Sequence, residues 1–379
     1  MKIMIVVTHL LGTGHLSRAV ALARGAMQAG HQVVIVSGGM PVAHLETADL
    51  HVEQLPPLKS DGVNFTRLLD QTGSPVSPEM MQLRQTQLIR CFKEMAPDVL
   101  VTELFPFGRR GLRTEFLALL DLARATSTCI AASVRDILNP PSKRAKVDWA
   151  DEIISHYYDA VLVHADPNVI TLDTSWPVTP LLSDRLRYTG FVAPQSAKPH
   201  PQGIGKGEVL VSAGGGPVGA TLFKAASATA ALDPGRMWRL FIGGSDAPQL
   251  IDDLQSAAPP NLIVGPTRPD FRQMVRHASA SVSMCGYNTA LDVLQSSVPA
   301  VFIPFDAGGE VEQTLRATAL STLPGIEMLH SEEVTPDGLL AAVQRATAAP
   351  QRNAMQQGLD GAARSANILS RLFEEKQCK

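Results

Sequence analysis

VLVSAGGGPVGATLFKAA, residues 209–226, passes from an apolar run through three successive glycines into a stretch of helical period that begins near Ala220. The run from Val209 to Ser212 is short and apolar up to its last residue, as a parallel strand covered on both faces must be. Gly214, Gly215 and Gly216 each cost backbone entropy, so a plain turn explains them poorly. Together with the Ser212 hydroxyl, their N–H groups converge on a helix start, whose positive dipole end favours an anion. A pyrophosphate fits that description. No GK[ST] sequence follows, so no lysine reaches a terminal phosphate, which argues against a P-loop triphosphatase.

The same strand–turn–helix grammar recurs on both sides of this stretch. Upstream, candidate strands are Ile3 to Val7, Val33 to Ser37, Val52 to Leu55, Val99 to Glu103, Cys129 to Ser133 and Val161 to His164. Downstream, Leu240 to Gly243, Leu262 to Val264, Ala280 to Met284 and Val301 to Pro304 continue the second series. Short apolar runs alternating with helix-length segments define an α/β chain with parallel sheets. Between the series lies GFVAPQSAKPHPQGIGKGE, residues 190–208, whose Gly and Pro content reads as a linker. The expected organisation is a first Rossmann-like domain over 1–195 and a second over 196–354. A final helix, roughly Met355 to Phe373 within 355–379, is expected to cross back onto the first domain. In open α/β sheets of this kind, ligands bind beyond the carboxyl ends of the strands.

Two further turns resemble the first in kind. HLLGTGHLSRAVALARGAM, residues 9–27, places Gly12, Thr13, Gly14 and His15 between a buried strand and a helix starting near Leu16. It lacks full GxGxxG spacing, so by itself it is a weak signal, open also to reading as a structural turn. SVSMCGYNTALDVLQSSVPAVFIPFDAGGEVEQTLRA, residues 281–317, opens a helix at Gly286-Tyr287-Asn288-Thr289. Asp292 lies i+4 from Asn288 and i+3 from Thr289, on one helical face. That face suits a ribosyl phosphate, with the helix start neutralising phosphate and the Asp292 carboxylate accepting from a vicinal diol. A carboxylate near a helix start also serves simply to offset the dipole.

Composition narrows the function classes. The 379 residues are 45% hydrophobic and 18% charged, sufficient for two buried sheets. A formal net charge of −3 offers no excess of positive charge to displace counterions from a nucleic acid. Cys91, Cys129, Cys285 and Cys378 are widely spaced with no CxxC, suggesting neither a zinc site nor a disulfide framework. The apolar N-terminal run is too short for a signal-peptide core, and no later stretch approaches the ~20 apolar residues of a membrane helix. A cytoplasmic location is expected, with the inner face of the membrane as a second possibility.

Taken in order and spacing, the three turns resemble those of the GT-B glycosyltransferases, particularly the MurG-like group, over nearly the whole chain. GTGH at 12–15 is similar to that family's GGTGGH loop with one glycine lost, SAGGGPVGA at 212–220 to its phosphate loop, and CGYNTALDVLQSSVPAVFIP at 285–304 to its donor signature. The resemblance implies a ribose-binding role for Asp292, where the family has the longer Glu. It implies that Glu312 and Gln313 meet the donor sugar's hydroxyls, although an extra residue in DAGGEVEQ loosens that register. Phe271, in PTRPDFRQM, falls where the family holds the nucleobase.

The resemblance further implies that His15 removes the acceptor hydroxyl's proton, a task an imidazole can perform at neutral pH. Glu103, ending the strand VLVTE, is placed to orient the ring. The expected reaction is direct displacement at the anomeric carbon with inversion, the diphosphate leaving toward the second domain's helix starts. No DxD pair follows a strand, so no metal or other cofactor is expected. The donor is expected to be a UDP-sugar first and a thymidine-diphosphate sugar second, and the acceptor a small molecule or a lipid.

Arg135, just past a strand end in SVRDILNPP, either touches acceptor or pairs with Asp136. The loops FPFGRRGLR (105–113) and NPPSKRAKVDW (139–149) combine aromatic and basic residues, reading either as an anionic-lipid patch or as solvated loops. Two other classes remain on the same architecture: a nucleotide-sugar hydrolase or epimerase, and a sugar-nucleotide sensor without catalysis.

Overall fold

The computed structural model describes residues 1–42, 45–60, 67–213, 219–244, 246–305 and 311–378. The chain divides into two units, Met1–Ala193 with Gly358–Lys379, and Pro194–Gln357. The first contains strands β1 (Lys2–Val7), β2 (Gln32–Gly39), β3 (His51–Ser60), β4 (Leu68–Leu69), β5 (Val99–Glu103), β6 (Cys129–Arg135), β7 (Ala160–His164) and β8 (Leu186–Tyr188). Its helices are α1 (Gly14–Gln28), α2 (Pro78–Met95), α3 (Arg113–Ala125), α4 (Arg144–Tyr157) and the single turn α5 (Pro180–Ser183). The second contains β9 (Val209–Ser212), β10 (Trp238–Ile242), β11 (Leu262–Pro266), β12 (Ala280–Ser283), β13 (Ala300–Phe302) and β14 (Ile326–Met328). Around them run α6 (Ala220–Leu232), α7 (Ala247–Ser256), α8 (Phe271–Val275), α9 (Tyr287–Ser296), α10 (Glu312–Leu320) and α11 (Pro336–Ala348). The last helix, α12 (Gly361–Gln377), belongs to the first unit.

The first sheet has the order β4-β3-β2-β1-β5-β6-β7-β8, parallel except where β4 pairs antiparallel with β3. The second has the order β11-β10-β9-β12-β13-β14 and is wholly parallel. Both reverse their winding once, between β1 and β5 in the first sheet and between β9 and β12 in the second. Crevices for ligands form at such switch points, outside the carboxyl ends of the strands. The apolar runs of the sequence are the central strands because both faces are covered: Ile3 to Val7 are at most 2% exposed and Val209 to Val211 fully buried.

Three strands lack a clear signature in the sequence. β4, β8 and β14 are edge strands of two or three residues, partly exposed, and so carry no apolar run. β3 extends beyond Leu55 through Pro56 and Pro57 to Ser60, because a register shift at Ser37/Gly39 lets β2 follow it past residues that lack N–H donors. The C-terminal helix begins at Gly361, later than Met355. Residues before it are non-helical, with Gly358 at φ 72° and Asp360 bridged to Val192. Once begun, α12 packs on α1 at close range: a Cβ on Gly25 lies 2.8 Å from the Ala362 backbone, so only glycine permits the approach. Lys376 secures its far end through Asp159 at 2.8 Å.

One buried ion pair ties the first unit's helices to its sheet. Arg84 of α2, fully buried, donates to both oxygens of Glu115 on α3 at 3.1 and 2.8 Å and to the Gly38 carbonyl at 3.0 Å. Arg84→Ala is expected to lower unfolding stability by about 3–5 kcal/mol, because it leaves the Glu115 carboxylate buried without its partner. Urea denaturation reads this directly, and a midpoint equal to wild type contradicts it.

Candidate active site

At the first sheet's switch point, β1 and β5 pair in parallel from Ile3 opposite Val99 to Val6 opposite Thr102. Chain leaving β1 turns at Gly12, whose φ of 64° favours glycine, and enters α1 with Thr13 as N-cap. Thr13 makes no side-chain cap, the first turn holds no acidic residue, and a Cβ on Gly14 meets nothing within 4 Å. The α1 start therefore has no side-chain cap from Thr13 and no acidic residue in its first turn to offset its dipole. His15, in its first turn, has a side chain 13% exposed. Its Nδ1 lies 2.9 Å from Glu103 Oε1 at the end of β5.

Arg18, one turn along α1, forms a buried ion pair with the same Glu103 oxygen and approaches His15 Nδ1 at 3.0 Å. Nδ1 cannot both donate to Glu103 and accept from Arg18. The ionised carboxylate only accepts, so it takes the Nδ1–H, and the Arg18 approach is proximity within a shared ion pair. Burial lowers the His15 pKa to about 4, against the opposing pull of Glu103. Burial alone raises a carboxyl, but Arg18 and His15 together outweigh it and hold Glu103 below the ordinary carboxylate range. The product is a neutral imidazole whose Nε2 carries a lone pair, backed by an anion. A neutral ring with Nε2 open has the lone pair needed to accept a proton.

Arg135 ends β6 and donates from Nε to the Ile137 carbonyl at 3.1 Å. Arg109, at φ 58°, donates to the Thr8 carbonyl; burial lowers its pKa to about 10, Glu103 opposes this, and Arg135 and Arg18 add to it. The loop carrying Arg109 buries its aromatic residues. Phe105 stacks on Phe116 with centroids 4.5 Å apart, and Phe107 meets Trp176 edge-on at 5.1 Å. Phe105 and Phe107 are core residues, and of the arginines in FPFGRRGLR only Arg113 is exposed, Arg109 and Arg110 being half-buried.

In the second unit the switch point sets Ser212 of β9 opposite Ser283 of β12. Gly214, Gly215 and Gly216 lie outside the described residues. Gly219 caps α6 without a side-chain bond, and a Cβ there would lie 2.5 Å from that of Ala213. Gly286 caps α9, again without a side-chain bond or an acidic first turn, and with open space where a Cβ would stand. Asn288 is exposed, Thr289 and Asp292 partly buried.

Asp292 is already engaged: Arg272 of α8 donates from Nε to its Oδ1 at 2.5 Å and from Nη2 to Gln295 Oε1 at 3.1 Å. Burial raises the Asp292 carboxyl and Arg272 partly offsets this. Phe271, next to Arg272, packs edge-on against Phe241 at 5.1 Å. Gln313 accepts from the Phe305 N–H at 3.2 Å, while Glu312 pairs with Arg316 at 2.9 Å. Arg316 also donates to the Cys285 carbonyl at 2.9 Å and sits 5.8 Å from the Tyr287 ring centroid, joining the α10 start to the Gly286 turn.

Each unit thus gathers its own part of the anticipated set: Gly12 to His15 with Glu103 in the first, and Ser212, Phe271, Gly286 to Asp292, Glu312 and Gln313 in the second. Arg18 and Arg272, which pair with the two carboxylates, went unread in the sequence. Arg18 has a sequence signal, its i+3 spacing from His15; Arg272 has none.

Residues 215–372 match the glycosyltransferase family 28 C-terminal domain. An uncharacterized glycosyltransferase of Methanosarcina acetivorans is 23% identical over 356 residues, covering 91% of this chain and 89% of that protein. Among solved structures, MurG of Acinetobacter baumannii superposes with a TM-score of 0.62 at 16% identity, covering 100% of this chain and 99% of its own. The glycosyltransferase VinC in complex with DTDP gives 0.63 at 15% identity, covering 99% and 100%. These likenesses show the GT-B fold. No described helix is long and apolar enough to cross a membrane.

Proposed function

We propose that the chain transfers a sugar, with inversion, from a nucleoside-diphosphate donor to the hydroxyl of a small-molecule or lipid-like acceptor. The single observation that carries this reading is the His15–Glu103 contact of 2.9 Å at the uncapped start of α1. In this scheme His15 Nε2 takes the acceptor's proton, the freed oxygen attacks the anomeric carbon, and the bond to the diphosphate breaks. Glu103 and Arg18 remain fixed while charge appears on the ring. The uncapped starts of α6 and α9 offer N–H groups to the departing diphosphate, and Asp292 one free carboxylate oxygen to the ribose. UDP-sugar is the first choice of donor. Thymidine diphosphate is the second, supported by the ligand of VinC.

The experiment is incubation with a panel of UDP- and dTDP-sugars, with and without pooled hydroxyl acceptors, following nucleoside diphosphate release and product anomeric configuration by NMR. Acceptor-dependent release with inverted configuration is expected. Release without acceptor would make the chain a hydrolase instead.

We further propose that transfer needs no divalent metal. The reading rests on the sequence, in which no DxD pair follows a strand. Turnover is expected to be unchanged in excess EDTA, and a strict requirement for added magnesium or manganese contradicts it.

A further inference from the structure

Behind Glu103 a second line of polar groups runs inward through the carboxyl ends of β5, β6 and β7. Ser133 Oγ lies 2.6 Å from Glu103 Oε2 and 2.9 Å from His164 Nε2. His164 Nδ1 lies 2.8 Å from Thr189 Oγ1, which is itself 2.8 Å from the Gly190 carbonyl. Ser133, His164 and Thr189 are 0% exposed and Glu103 2%. This line is continuous with the His15 contact on the other carboxylate oxygen. It gives five side chains in series, of which only His15 reaches solvent.

Hydrogen counting decides how the line is ordered. An ionised Glu103 accepts only, so Ser133 must donate its one proton to Oε2. Ser133 oxygen then accepts from His164 Nε2–H, which leaves His164 Nδ1 as a lone pair for the Thr189 hydroxyl. The reverse order, running from Ser133 through His164 and Thr189 to the Gly190 carbonyl, would leave Oε2 facing the Ser133 lone pairs. It is tenable only if Glu103 is protonated. A buried polar chain of this kind is costly unless its members are satisfied; the first order satisfies Glu103 as an anion, Ser133 and His164, and turns the single Thr189 proton from the Gly190 carbonyl to His164 Nδ1.

We propose that Ser133 and His164 are positioning residues for His15, an inner donor arm that keeps Glu103 ionised and weakly basic and so holds His15 with Nδ1 protonated and Nε2 open. The inference deepens the general-base reading and rests on it for its catalytic meaning. In the proton transfer, the acceptor O–H bond breaks and an Nε2–H bond forms. With Ser133 donating to Oε2, the extra proton stays on the imidazolium and does not pass to Glu103, and it leaves to water after transfer. His164 fits an inner role because complete burial lowers its pKa to about 3, so it remains a neutral single donor.

The test is ¹⁵N NMR of histidine-labelled protein, with the His15 signals assigned by their loss in His15→Asn. It needs no donor or acceptor, so a failed transferase assay leaves it interpretable. In wild type, His15 is expected to show the Nδ1–H tautomer. In Ser133→Ala, Glu103 loses a donor and becomes a stronger acceptor, and the His15 pKa is expected to rise by about one pH unit, the scale of one lost charge-assisted hydrogen bond. His164→Leu should reproduce that rise, whereas His164→Gln, whose amide can donate in place of Nε2–H, should restore the wild-type value. If Ser133→Ala and His164→Leu lower the melting temperature but leave the His15 tautomer and pKa unchanged, the line is structural and the proposal is wrong. The proposal fails equally if the Leu and Gln variants behave alike.

Discussion

Alanine at position 15 is expected to lower kcat by about 10²- to 10⁴-fold, the usual worth of a positioned general base, while donor affinity stays at the wild-type level. The split follows from where His15 stands: in the first unit, on α1, bonded to Glu103, whereas the proposed donor residues Gly286 to Asp292 belong to the second unit. Glu103 and Arg18 keep each other as buried partners when the imidazole is removed, so the fold survives the change. The pH profile gives the same base a second signature. Its folded pKa is lowered from 6.5 to about 4, so the ring is unprotonated throughout the neutral range and protonates only on strong acidification. Turnover is therefore expected to show no acid limb between about pH 6 and 8. Wild-type turnover in His15→Ala removes the residue from the reaction, and an acid limb near 6.5 shows that it is not desolvated as described.

The second large effect is on donor binding. Asp292→Ala is expected to weaken nucleoside-diphosphate affinity by about 10- to 150-fold, the equivalent of one charge-assisted hydrogen bond of about 1.5–3 kcal/mol. The Arg272 contact bears on the size of the loss. Its Nε occupies one carboxylate oxygen, so only the other is open to a ribose hydroxyl, and the lower part of that range is the expected one. Arg272 keeps its bonds to Gln295 Oε1 and the Gln195 carbonyl in the variant, so α8 and α9 stay joined. Calorimetry with UDP measures the loss. Equal affinity in variant and wild type ends the ribose assignment.

These expectations differ in how far the amino-acid sequence alone supports them. Central strands were legible because parallel strands covered on both faces must be continuous apolar runs, which is how Ile3 to Val7 and Val209 to Ser212 stand out. The turns after them were legible because glycine is needed where backbone approaches a ligand, as at Gly12 and Gly286. Glu103 could be read as a strand-end carboxylate. Its partners Ser133 and His164 could not, because each is only a polar residue closing an apolar run until β5, β6 and β7 are laid side by side. Arg272 is silent for the same reason, being brought to Asp292 by packing between two helices 20 positions apart in the chain. Phe105 and Phe107 mislead in the opposite direction, since a loop sequence rich in arginine conceals that its rings belong to the core.

The central claim is that the second unit grips a diphosphate at its glycine-led helix starts. A crystal structure of the protein soaked with UDP tests it most directly. The account predicts the two phosphates against the N-terminal N–H groups of α6 and α9, with the ribose toward Asp292. A nucleotide bound anywhere else, or none bound at saturating concentration, contradicts it.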